Sequence, residues 1–295
     1  MREPRHLLTV KDLSKKEVEG ILRRASLMMK KNPKRFSSAL KGKTLAMLFA
    51  KPSTRTRVSF EVAMLQLGGH AIDLDFSEMQ VSRGESIADT ARVLSRYVDC
   101  IMARLFSHEH IEELAQNSTV PVINGLTDMY HPCQALGDML TMKEKLGSLK
   151  GKRLVFLGDG SSNVCHSLIN AAGMLGLEMV VSYPNAYKPR IEGNFETITN
   201  PREAVKGADV LYTDTWVSMG QEREKTKRAS TLRPYQVNNR LLAAAKGNCI
   251  VMHCLPAHRG QEITDDAMDR DNSAIFDQAE NRLHIQKSIL VFLLK

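Results

Sequence analysis

Along most of this chain, short apolar runs of strand length alternate with longer stretches whose apolar residues recur every three or four positions. That alternation constrains the fold more than any other feature. The strand-like runs of the first half are Thr44–Phe49, Ala71–Phe76, Cys100–Phe106 and Val120–Leu126. Those of the second half are Leu154–Leu157, Glu178–Ser182, Glu196–Thr199, Asp209–Thr213 and Ile250–Cys254. A first helix is expected from Ser14, where Ser14 and Glu17 form a capping box ahead of the stripe Val18, Ile21, Leu22, Ala25 and Met28. Further helices are expected over Val58, Val62 and Leu65 up to Gly68-Gly69, after the cap Ser86, and over Glu109–Gln116. Another starts at His131-Pro132 and runs to about Leu146, since proline fits a first helical turn. The second half adds helices around Ser167–Leu175, at Asn200-Pro201, at the Ala243–Ala245 run, and from about Gln278 to Leu294. The fold class this predicts is α/β: two doubly wound parallel-sheet domains linked by helices. The break at Gly147–Gly151 divides them into residues 1–146 and residues 147–277.

Composition narrows the class. No apolar run is long enough to span a bilayer and the first residues lead into no signal sequence, so a cytoplasmic location and no membrane partner are expected. The five cysteines are odd in number and form no Cys-x-x-Cys, which reads as reduced thiols. A formal charge of +8 suits an anionic partner, either a nucleic acid or a phosphorylated small molecule. The basic residues are scattered, however. The densest stretch, Arg223–Arg233, contains Glu224, lacks interleaved aromatics, and reads as a solvated loop. No nucleic-acid partner is therefore expected.

In doubly wound sheets, ligands bind beyond the carboxyl ends of the strands. The chemically notable residues gather at those ends: Ser53–Arg57, Arg104, His131, Asn163, Asp214 and Cys254. Ser53-Thr54-Arg55-Thr56-Arg57 lies between a strand and a helix, where free N–H groups, hydroxyls and a guanidinium together make a phosphate cradle. The plainer alternative is an N-cap with a charged first turn and an Arg57–Glu61 pair. Gly158-Asp159-Gly160-Ser161-Ser162-Asn163 also opens a helix. Asn163 occupies the third glycine position of a dinucleotide fingerprint, and strand Glu178–Ser182 ends without an acid, so no nucleotide cofactor is expected. His253 and Cys254 are strand neighbours pointing to opposite faces, and with His258 they give no metal site.

Taken together these segments resemble the carbamoyltransferase family. Ser53-Thr54-Arg55-Thr56-Arg57 with Ser59-Phe60-Glu61 is similar to its carbamoyl-phosphate motif, and His131-Pro132-Cys133-Gln134-Ala135-Leu136 to its second motif. Asp214-Thr215-Trp216-Val217-Ser218-Met219-Gly220 and His253-Cys254-Leu255-Pro256 resemble the features of its ornithine branch. The resemblance implies transfer of the carbamoyl group of carbamoyl phosphate to L-ornithine, giving L-citrulline and phosphate, with no cofactor. It implies that the two domains are joined by helices, the C-terminal helix over 278–295 crossing back to complete the first. It also implies a homotrimer or a multiple of one, with sites at subunit interfaces. It assigns the phosphate to Ser53, Thr54, Arg55 and Thr56. The carbamoyl group falls to Thr56, Arg104, His131 and Gln134, completed by Cys254, Leu255 and Arg282. Gln80 would reach in from a neighbouring subunit. Asn163, Asp214, Ser218 and Met219 would hold ornithine, with Cys254 near its side-chain amine.

These residue types suit that chemistry. Negative charge builds on the carbonyl oxygen during attack, and Arg104 and His131 can donate to it. Arg55 can stabilise the departing phosphate. An alkylamine is mostly protonated near neutral pH, so the site must favour the neutral amine, and Cys254 with Asp214 are the groups to orient it. The nearest alternative is a carbamoyltransferase for another amine, such as putrescine or an acylated ornithine. Asp214 followed by Ser218-Met219-Gly220 argues against it.

Overall fold

The computed structural model of the chain describes residues 3–30, 36–217 and 224–295. Two parallel sheets flanked by helices account for its architecture, and the chain divides into two compact units. Unit 1 comprises Met1–Leu140 and Glu280–Lys295, and unit 2 comprises Thr141–Ala279.

In unit 1, α1 (Lys15–Lys30) follows the Ser14–Glu17 box, in which the Glu17 N–H donates to Ser14 Oγ at 3.3 Å. Its stripe Val18, Ile21, Leu22, Ala25 and Met28 is buried. The unit continues with β1 (Thr44–Phe49), α2 (Thr54–Gln66), β2 (His70–Asp75), α3 (Ile87–Leu94), β3 (Cys100–Arg104), α4 (His108–Gln116), β4 (Val122–Leu126) and α5 (Pro132–Leu146). The all-parallel sheet has the order β2-β1-β3-β4. Strands β1 and β3 lie inside the sheet and read as unbroken apolar runs because both faces are covered.

Unit 2 contains β5 (Arg153–Leu157), α6 (Asn163–Leu175), β6 (Glu178–Ser182), β7 (Glu196–Thr197), α7 (Pro201–Ala204), β8 (Val210–Thr213), α8 (Lys225–Leu232), α9 (Asn239–Leu242), β9 (Ile250–His253) and α10 (Asp265–Met268). Its parallel sheet has the order β7-β6-β5-β8-β9. The last helix, α11 (Ile275–Leu294), begins three residues before the expected start at Gln278 and crosses from unit 2 into unit 1. α5 makes the opposite crossing.

Two expectations, on Ala243–Ala245 and on Arg223–Arg233, need correction. The helix expected over Val58, Val62 and Leu65 forms as α2, but that stripe does not face the core of unit 1. α2 buries Thr56, Phe60, Ala63 and Met64 instead, and Val58 and Leu65 stay 52% and 74% exposed. The Ala243–Ala245 run is a turn after α9, because the helix starts earlier at the Asn238 cap. Most of Arg223–Arg233 is helical, not a solvated loop: α8 buries Arg228 and Leu232.

In both sheets the chain reverses its direction of strand addition once. It does so between β1 and β3 in unit 1, and between β5 and β8 in unit 2. At such a reversal the loops beyond two neighbouring strands part in opposite directions and leave a crevice.

Candidate active site

The crevice of unit 1 is lined first by the loop joining β1 to α2. Ser53 is the N-cap of α2, in extended backbone, yet its side chain makes no capping hydrogen bond. The first turn of α2 holds no acid and Thr54 and Arg55 are exposed, so its N–H groups and dipole face outward beside a cation. Arg57 does not pair with Glu61. Its guanidinium lies 2.8 Å from Asp73 on β2.

Across the reversal, β3 ends on Arg104, in register with Phe49 of β1. Its ladder with β4 slips there: Ala103 faces Asn124, but Arg104 faces Leu126. Irregularities of this kind re-aim a side chain at a strand end. The loop after β4 delivers His131, which is 4% exposed. Burial, and then the guanidiniums of Arg282 and Arg104, push its pKa well below the usual histidine value. Its imidazole is therefore neutral near pH 7 and keeps one N–H to donate.

Behind these groups runs a chain of buried polar side chains. The Arg282 guanidinium donates to Thr56 Oγ1 at 3.0 Å and to Gln134 Oε1 at 2.5 Å. Gln134 Nε2 donates in turn to Asp138 at 2.8 Å. Thus α2, α5 and α11 each supply a member. Lys51, which the sequence did not single out, is also drawn in. Burial and the charge of Arg104 lower its pKa, and its ammonium sits 4.3 Å from the centroid of the Phe106 ring. Gln80 is not among these groups: it lies on an exposed 3₁₀ turn, Gln80–Arg83.

In unit 2, β8 and β9 are paired in register up to Thr213 and His253, so the next residues, Asp214 and Cys254, emerge side by side. The Cys254 thiol donates to Asp214 Oδ1 at 2.8 Å, and the Thr215 N–H donates to the same oxygen at 2.7 Å. Burial raises the pKa of Asp214, against the pull of His253 and of these two hydrogen bonds. Cys254 is partly exposed, whereas Cys100, Cys133, Cys165 and Cys249 are buried. Burial pushes the thiols of Cys133 and Cys249 up to about 12.

The turn carrying Cys254 is tightly held. The Leu255 N–H donates to His253 Nδ1 at 2.8 Å, so the ring proton sits on Nε2, which faces Glu262 at 3.1 Å. Leu255 adopts a left-handed φ of 58°, and its peptide bond to Pro256 is cis. Among the described residues, no cluster of His, Cys, Asp and Glu is arranged to hold a metal ion.

Asn163 opens α6 beyond β5, behind the cap Ser162, whose oxygen accepts the Cys165 N–H at 3.2 Å. The Gly158–Asn163 loop is anchored by a residue the sequence did not reveal. Arg228 of α8, 4% exposed, donates from Nε to the Trp216 carbonyl at 2.5 Å and pairs with the buried Asp159 carboxylate. Its guanidinium also stacks over Tyr187, 4.6 Å from the ring centroid. Arg228 thereby ties the loop after β5 to the loop after β8. Its signal in the sequence was hidden inside a run of charges. Ser218 and Met219, expected at the ornithine, lie outside the described residues.

Residues 5–144 match the model of the aspartate/ornithine carbamoyltransferase carbamoyl-P binding domain, and residues 150–293 match that of the Asp/Orn binding domain. An ornithine carbamoyltransferase of Pyrococcus horikoshii is 52% identical, over 98% of this chain and 96% of its own. One named as anabolic, from Pyrococcus furiosus, is also 52% identical over the same shares. The solved ornithine carbamoyltransferase of Pyrococcus furiosus superposes with a TM-score of 0.94 at 51% identity, covering 99% of this chain and 97% of that one. Matched by the family's models over both halves and by these relatives over nearly its full length, the chain belongs to the aspartate/ornithine carbamoyltransferase family.

Proposed function

We propose that this protein transfers the carbamoyl group of carbamoyl phosphate to the side-chain amine of L-ornithine, giving L-citrulline and phosphate, in arginine biosynthesis. The observation that carries the choice of acceptor is the Cys254–Asp214 pair at adjacent strand ends, a half-buried thiol on a buried carboxylate. An ammonium or amine is the natural partner of such a group. The names of the relatives support the same acceptor.

Unit 1 serves as the carbamoyl-phosphate-binding domain and unit 2 as the ornithine-binding domain. Ser53, Thr54, Arg55 and Thr56 hold the phosphate at the start of α2. Arg104 and His131 donate to the carbonyl oxygen, while Gln134 and Arg282 complete the surroundings of the carbamoyl group, with the Leu255 carbonyl and Cys254. Asn163, Asp214, Ser218 and Met219 hold ornithine. The amine lone pair attacks the carbonyl carbon, and negative charge collects on the oxygen facing Arg104 and His131. The bond to the phosphate oxygen then breaks, and the leaving phosphate takes the amine proton. A neutral His131 suits this step, because it donates a hydrogen bond without surrendering a full proton.

The assembly proposed is a homotrimer in which Gln80 reaches the site of a neighbour. Leu65, Val58 and Ile72 support it: α2 and the edge strand β2 leave them 74%, 52% and 40% exposed, an apolar face that another chain would cover. The working compartment is the cytoplasm, consistent with five cysteines that form no disulfide. No described helix is long and apolar enough to cross a membrane.

The decisive experiment is citrulline formation from carbamoyl phosphate, with ornithine, aspartate and putrescine as parallel acceptors. Turnover with ornithine alone is expected. Turnover with a different acceptor would overturn the reading of unit 2, and no turnover from a folded oligomer would overturn the reading as a whole.

A further inference from the structure

We infer that Asp138 is a positioning residue for carbamoyl phosphate: it sets the orientation of the Gln134 amide and, through it, the Arg282 guanidinium. The inference rests on the proposed function for the identity of the ligand. Its geometric basis lies wholly within unit 1.

Asp138 is fully buried, one helical turn beyond Gln134 on α5. An ionised carboxylate in such a place is costly unless it accepts hydrogen bonds, and Gln134 Nε2 supplies one at 2.8 Å. A glutamine amide can be turned over at little cost in most settings, exchanging its donor and acceptor ends. Here it cannot. A carboxylate only accepts, so the amide nitrogen must face Asp138 and the amide oxygen must face away from it. The guanidinium of Arg282 only donates, and it lies 2.5 Å from that oxygen. Its other terminal nitrogen donates to Thr56 Oγ1, in the first turn of α2. Asp138 therefore holds one end of a directional chain running from α5 through α11 to the phosphate cradle.

The chain has a consequence for ligand binding. Arg282 enters the crevice already fixed between two acceptors on different helices, with little rotamer freedom left to lose when an anion arrives. Remove the carboxylate and the amide of Gln134 is free to turn, which presents its N–H₂ to a guanidinium that cannot accept. Arg282 must then move away from Gln134 or lose its second anchor.

Asp138→Asn is the informative variant. It keeps the shape of the side chain but can itself donate, so it no longer dictates the orientation of Gln134. Carbamoyl phosphate affinity would be read by steady-state KM and, without any acceptor substrate, by calorimetric titration of carbamoyl phosphate and of inorganic phosphate. The expected result is a rise of roughly tenfold in KM and Kd for carbamoyl phosphate, the size of one lost charge-assisted hydrogen bond, with the KM for ornithine within about twofold of the parent. In a Gln134→Ala background, adding Asp138→Asn should change carbamoyl phosphate affinity by less than about twofold, since the link is already cut. Asp138→Ser, smaller and unable to fix the amide, should behave as Asp138→Asn does and stands in for it if that variant does not fold. A lowered melting temperature with unchanged carbamoyl phosphate KM and Kd would make Asp138 merely structural and overturn the inference. So would full effects of Asp138→Asn in the Gln134→Ala background. The calorimetric arm separates the two readings: an enzyme inactive with ornithine would sink the proposed function, yet the anion titration would still decide for or against Asp138.

Discussion

Burial and two neighbouring guanidiniums keep His131 neutral, and that has a thermodynamic signature distinct from its proposed part in the reaction. Its folded pKa lies below the unfolded value of roughly 6.5, so between those two points the unfolded chain binds more protons. Stability is then fully present above about pH 6.5 and declines as the pH falls toward the folded pKa. His131→Asn should flatten that acid limb when unfolding free energies are compared between roughly pH 7.5 and 5.5. An unchanged slope would mean the imidazole is not held neutral. Asp214 is the mirror case. Burial raises its folded pKa, so its contribution is most favourable below the unfolded value and shrinks as pH rises through the folded one. A bound cation offsets that cost. Asp214→Asn should accordingly raise the KM for ornithine by about ten- to a hundredfold, the range of a hydrogen bond to a charged group, and leave the KM for carbamoyl phosphate nearly unchanged. Equal effects on both KM values would move Asp214 out of the acceptor site. Most of these residues were legible in the sequence, because chemistry concentrates at strand ends and their order along the chain is fixed. Lys51 and Asp138 were not: the environment of Lys51 comes from burial and the Arg104 charge, and the Asp138 contact to Gln134 one helical turn away carries no motif.

The elements show what a linear pattern can and cannot carry. Buried parallel strands such as β1 and β6 are nearly continuous apolar runs and stood out with correct boundaries. Helix faces were harder. Val58, Val62 and Leu65 form a genuine apolar stripe, but periodicity says only that a face is apolar, not what covers it, and the helix buries its other side through Phe60, Ala63 and Met64. Helix α8 failed for the opposite reason. Lysine, arginine, serine and threonine make up six of its eight residues, so no stripe appears, and its single buried guanidinium counted as one more surface charge. Breaking that ion pair should be expensive. Arg228→Met would leave the Asp159 carboxylate buried, among the described residues, beside its two contacts from Ser161, a loss of about 3–5 kcal/mol in a denaturant titration. Adding Asp159→Asn should recover part of it. A loss below about 1 kcal/mol would show the pair to be of surface grade.

At the scale of the whole molecule, the outward apolar face of α2 and β2 predicts an association that the core does not need. Leu65→Asp, placed on a residue 74% exposed, should leave the chain folded while shifting its mass in solution from that of the proposed trimer toward that of one chain. Citrulline formation should fall with it if Gln80 of a neighbour completes the site. A folded, fully active trimer from Leu65→Asp would send the interface elsewhere. The two parallel sheets followed from alternation alone, whereas their strand orders and the places where they reverse came only from the folded chain. The assembly did not follow from alternation, since a sequence records which face is apolar but not which partner covers it.

The distribution of the cysteines carries one more consequence. Four thiols are sealed inside and only Cys254 is partly open, so the protein carries its own reporter at the proposed acceptor site. A maleimide dye added under native conditions should attach once per chain, and denaturation should release the remaining four thiols for counting. Ornithine should slow that single labelling event in proportion to its occupancy, which makes an unmodified protein its own binding assay.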